Sequence, residues 1–140
     1  MRGKLWLAAC LTASLSFSVF AGGTPSAPGA NAYIIWPYNG ATISGGKLWV
    51  RFGLQNMGVA PAGIAKKFAG HHHLIINADL PPLDKPVPAS ENYVHFGTGA
   101  TEGRITLPRG RHTLQLLLAD HNHIPHDPPV VSKKISITVP

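Results

Sequence analysis

The sequence predicts an all-β protein, an immunoglobulin-like antiparallel β-sandwich of six to seven short strands, on three observations. Short segments alternate apolar and polar residues with period two, clusters of glycine, proline and asparagine separate them, and no amphipathic stretch reaches helical length. With 140 residues the chain suits one core. Residues 31–140 are expected to form that single domain, after a signal peptide at 1–21 and a flexible lead at 22–30.

The leader is read from its composition. Met1-Arg2-Gly3-Lys4 is basic, residues 5–20 are almost entirely apolar or small, and Val19-Phe20-Ala21 suits a signal peptidase. The apolar run falls just short of the ~20 residues that span a bilayer, and no basic flank follows it. Export to the periplasm as a soluble chain, with no stable membrane insertion, is the expectation. Leu7-Ala8-Ala9-Cys10 has the local look of an acylation site, but only five apolar or small residues precede the cysteine. Cleavage after Ala21 takes 21 of the 140 residues, among them Arg2, Lys4 and Cys10, and leaves 119 at a formal charge of +4 in place of +6. The mature chain then has no disulfide, thiolate metal site or cysteine nucleophile. Its cations are dispersed, with no block resembling a nucleic-acid arm, so a nucleic-acid partner is not expected.

The elements follow in order. Residues 22–30, Gly-Gly-Thr-Pro-Ser-Ala-Pro-Gly-Ala, hold nothing to anchor a core. Residues 33–36 are a short aromatic and β-branched strand, closed by Pro37, Asn39 and Gly40. In Lys47-Leu48-Trp49-Val50-Arg51-Phe52-Gly53-Leu54 the even positions are apolar and Lys47, Trp49 and Arg51 face the other way. Residues 55–70 are rich in Gly, Ala and Pro, with room for one helical turn at 64–68, and a strand follows at 72–76. Four prolines stiffen a loop at 79–92. Short strands are read at 93–96 and 104–107, and Pro108-Arg109-Gly110 turns into a central hairpin strand at 111–119 whose Leu114, Leu116 and Leu118 share a face. A histidine-rich loop spans 120–129, and Ile135, Ile137 and Val139 alternate with Ser136 and Thr138 in a closing strand.

Histidine is the unusual resource: all eight lie after residue 21. Neutral imidazole is the commonest protein metal ligand near neutral pH. On a strand His71 and His73 share one face, while His72 joins Leu74 and Ile76 on the other. The later loop offers His121-x-His123-x-x-His126, flanked by Asp120 and Asp127. The expected site is a divalent metal centre for Cu(II), Zn(II) or Ni(II) made by His71, His73, His121, His123 and His126, with Asp120 completing the shell or orienting a ring. A structural role competes at each position: hydrogen bonds from 71–73 to backbone and Asp79, or a rigid polar loop at 121–126. His112 is read as lining the core rim, and His95 stands between the two roles. Met57 is the only methionine after residue 21, which excludes a Cu(I) site of several thioethers.

Other chemistries find less support. No serine nucleophile elbow, zincin-like His-Glu helix or glycine-rich phosphate loop is present, so neither catalysis nor an organic cofactor is indicated. Trp36, Tyr38, Trp49 and Tyr93 could make a sugar or peptide platform, though aromatics spread over three segments more often pack. This leaves a second class open, a non-enzymatic cell-envelope interaction domain that binds a protein or glycan.

Four ordered motifs carry a family resemblance. They are His71-His72-His73-Leu74-Ile75-Ile76-Asn77-x-Asp79-Leu80-Pro81, then Tyr93-Val94-His95-Phe96-Gly97-x-Gly99-x-Thr101-Glu102, then Pro108-x-Gly110-x-His112-Thr113-Leu114-Gln115-Leu116-Leu117, and Asp120-x-x-His123-x-Pro125-His126-x-Pro128-Pro129-Val130. Over about residues 33–140 the chain resembles the exported bacterial family known as domain of unknown function 4399. The resemblance implies a small periplasmic β domain and assigns no biochemical function.

Overall fold

Period-two alternation becomes strand wherever one face has a layer to pack against. Nine strands form in the computed structural model, which describes residues 23–140; the signal peptide expected at 1–21 lies outside the described residues. In chain order they are β1 Asn31–Trp36, β2 Lys47–Gln55, β3 Gly58–Val59, β4 Ala69–Ile76, β5 Tyr93–His95, β6 Glu102–Thr106, β7 Gly110–Ala119, β8 Pro125–Val131 and β9 Ile135–Val139. They make an all-β fold of two sheets. One is three-stranded, β1-β2-β6; the other has six strands, β3-β4-β7-β8 with β5 added to β4 and β9 to β7.

The core lies between the sheets. Leu48, Val50 and Phe52 of β2 and Ile105 of β6 meet Leu74 and Ile76 of β4, Leu114, Leu116 and Leu118 of β7, and Ile137 and Val139 of β9. Each such side chain contributes roughly 1.5–3 kcal/mol by leaving water. Every residue of β4 is buried, because its second face is covered as well. There Ile75 packs with Leu117 and Ala119 of β7 and with Val87 from the proline-rich segment. The Val87 N–H donates to the carbonyl of His123 at 2.8 Å, tying that segment to the loop after β7.

Four local expectations differ from the structure. Pro108-Arg109-Gly110 does not close a hairpin, since β6 pairs with β2 in one sheet while β7 pairs with β4, β8 and β9 in the other; the turn crosses the core. Residues 64–68 form no helix. Part of the expected histidine-rich loop is strand β8, an edge strand interrupted by a register shift that sets Ala119 against Pro125 and Leu118 against Val130. Pro128 and Pro129, which cannot donate to a ladder, fall inside that shift. Finally, the segment read as a flexible lead is held in place: Thr24 and Ser26 are tied to Asp127 by backbone hydrogen bonds of 3.2 and 3.0 Å, and Ala30 packs against the core. Among the described residues no helix is long and apolar enough to cross a membrane.

Candidate metal centre

Strand geometry assembles the first three imidazoles. His71 and His73 stand two residues apart on β4 and share the face of Ile75. β5 runs antiparallel beside β4 with His95 opposite His73. On the other flank His71 pairs with Ala119, the last residue of β7, so the chain leaving β7 turns directly over this face and carries His123 to it.

That turn is built on Asp120. Its buried carboxylate accepts hydrogen bonds from the backbone N–H of Asn122 at 2.9 Å, Ile124 at 3.1 Å and Thr24 at 3.1 Å. The backbone adds Asp120 N–H to Ile124 O and His123 N–H to Asp120 O, each 2.9 Å. These bonds hold His123 at φ +64°, a left-handed conformation that costs a non-glycine residue on the order of 1 kcal/mol. Gly97 plays a matching part beneath His95. A Cβ there would collide with the His95 ring, so only glycine lets that imidazole fold back over the strand end.

The result is a cluster of four histidines, His71, His73, His95 and His123, whose ligand nitrogens all lie within 4.8 Å of one another, an arrangement consistent with a divalent metal-binding site. His71 Nε2 lies 3.1 Å from His123 Nδ1. That is close to the edge of a tetrahedron of ~2.0 Å metal–nitrogen bonds, roughly 3.3 Å. His71 and His73 are fully buried, His123 is half-buried, and His95 is exposed, so the cluster reaches solvent on the His95 side.

The electrostatics favour neutral rings. Burial, followed by repulsion from His95 and His123, lowers the pKa of His71 to about 4. Burial, followed by repulsion from His71, His95 and His123, lowers that of His73 to about 3. His95, exposed on its outer side, is lowered by the desolvation of the part of its ring that faces the cluster and by His123. Metal ligation requires the neutral imidazole, so this environment keeps lone pairs available well below pH 7. The Asp120 carboxylate pulls the other way on His71 and offers nearby negative charge. The buried Nδ1 atoms of His71 and His73 have no hydrogen-bond partner.

The structure brings together His71, His73 and His123 of the six residues the sequence singled out, and joins His95 to them. His126 lies elsewhere: its Nδ1 is 3.0 Å from both the hydroxyl and the carbonyl oxygen of Thr24, and its buried Nε2 faces Gly70. His121 is occupied by the Asn122 amide at 3.1 Å. Asp120 serves the loop backbone instead of a ring nitrogen. The alternative partner Asp79 binds Lys134 at 2.9 Å. His112 is structural, donating from Nε2 to the Pro108 carbonyl at 2.8 Å and accepting at Nδ1 from Asn77 at 2.9 Å.

Fold and site together define an all-β, two-sheet protein with a histidine cluster on the outer face of its larger sheet. Residues 50–140 match the family described as Domain of unknown function (DUF4399), and the chain belongs to that family. No curated protein and no solved structure matches the chain.

Proposed function

We propose that this protein binds one divalent transition-metal ion, Cu(II), Zn(II) or Ni(II), through His71, His73, His95 and His123. The single observation that carries this is the convergence of four imidazoles within 4.8 Å. Buried, unpartnered ring nitrogens cost stability, whereas imidazoles converging on one centre are stabilised by a cation. An all-nitrogen donor set suits these three ions, and intrinsic preference runs to Cu(II). The single thioether after residue 21 is engaged elsewhere, at 3.2 Å from the Ala27 N–H.

Residues 1–21 support a periplasmic location, where such an ion would be met outside the cytosol. The two sheets facing one another across one core support the finer reading of residues 31–140 as an immunoglobulin-like sandwich domain. A second reading, an envelope interaction domain for a protein or glycan, draws on the exposed aromatic residues Trp36, Tyr38 and Trp49.

Titration of the exported protein with each ion, followed by native mass spectrometry, tests the proposal. One ion per chain is expected at micromolar metal, with His73→Ala weakening uptake about 100-fold or more. No stoichiometric uptake of any of the three ions would overturn it.

A further inference from the structure

The outer face of the smaller sheet carries an aromatic and basic surface of its own. Burying Leu48, Val50 and Phe52 forces the intervening residues of β2, Lys47, Trp49 and Arg51, onto the outer face. Register places Arg104 of β6 beside Trp49, Glu102 beside Arg51, and Trp36 of β1 on the other side of Arg51. Trp36 stays 38% exposed and Trp49 50%, large apolar surfaces left in water. Tyr38 stands edge-on to Trp36, ring centroids 5.4 Å apart. Between the two indoles lies a shallow cavity of about 500 Å³ whose wall includes Lys47, Arg51 and Arg104. The hydroxyl residues Thr42 and Ser44 complete its rim.

Charge on this face is one-sided. Its one acid, Glu102, is taken by Arg51 at 3.3 Å, and no acidic group lies in ion-pair range of Lys47 or Arg104 among the described residues. Exposed indole faces stack on the C–H face of a sugar ring, hydroxyls exchange hydrogen bonds with its hydroxyls, and two unopposed cations select an anionic substituent. The volume lies within the ~300–1,000 Å³ of small-molecule sites. Two free cations are too few for a single-stranded nucleic acid, which needs a basic track along its backbone. We propose that this face binds an acidic glycan, a chain of uronate-bearing sugars, independently of the histidine cluster on the other sheet.

Trp36 and Trp49 are the only tryptophans after residue 21, so the fluorescence of the exported protein reports this face alone. Titration with oligogalacturonate is the experiment, beside maltotetraose, an oligo-aspartate peptide and vesicles containing anionic phospholipid. The expected result is a saturable, salt-sensitive change with oligogalacturonate only. Trp49→Ala and Arg104→Gln should each weaken it about tenfold or more, while His73→Ala leaves it unchanged. Both substituted positions are exposed, and circular dichroism verifies the fold. Absence of a saturable response at millimolar oligogalacturonate would overturn the proposal. So would equal binding of maltotetraose, the acidic peptide or the vesicles, or insensitivity to both substitutions.

Discussion

β4 carries three consecutive histidines, all fully buried, and its two faces treat them differently. His72 enters the main core, its ring 5.1 Å from Phe52, with neither nitrogen partnered. Burial alone lowers its pKa to about 4. His71 and His73 point to the opposite face, where β5 and the loop after β7 supply two more imidazoles. An isolated buried imidazole is a cost that the apolar core around it must offset. The same group among three others has lone pairs that one cation can satisfy together. One residue of strand parity thus separates a packing histidine from a ligand.

The largest effect expected from breaking this comparison comes from the ligand face. His71→Ala with His73→Ala should abolish metal uptake, read as loss of the bound species in native mass spectrometry, while uptake survives at His72→Leu. A smaller effect comes from protons. All three rings have folded pKa values below the unfolded 6.5, so the stability tied to them is complete above pH 6.5. It falls as pH drops through 6.5, down to about 4 for His71 and His72 and about 3 for His73. Urea midpoints of metal-free protein should therefore decline between pH 7.5 and 4.5. Added zinc should raise the midpoint most at pH 7.5 and progressively less toward pH 4.5, since it binds only neutral rings on the ligand face; it lifts the curve without flattening the decline, and leaves the His72 contribution unchanged. The smallest effect sharpens the other side: His72→Leu should be neutral or stabilise the fold by about 1 kcal/mol in urea denaturation, because both unpartnered nitrogens vanish from the core.

The strands legible in the residues were those with a local signal. β2, β7 and β9 alternate cleanly, and the opposite facing of His72 to that of His71 and His73 follows from parity alone. β8 was hidden because its prolines read as loop, and its pairing depends on a register shift with β7 that no local pattern displays. The site divides in the same way. His71 and His73 are neighbours by strand period, but His95 joins them only through the β4–β5 register across the long proline-rich segment. In the loop the spacing of His121, His123 and His126 gives them equal standing. The left-handed backbone at His123 and the carboxylate of Asp120 shape the turn locally, but what sets that turn over the ligand face is the pairing of Ala119 with His71, a tertiary fact that no spacing displays. Asp120 was visible as a site residue, but its work on the backbone was not.

Anomalous diffraction from crystals of copper- or zinc-loaded protein tests the central claim most directly. One peak per chain is expected, about 2 Å from a ring nitrogen of each of His71, His73, His95 and His123. A peak at His121 or His126, or fully loaded protein with no metal among those four rings, would contradict it.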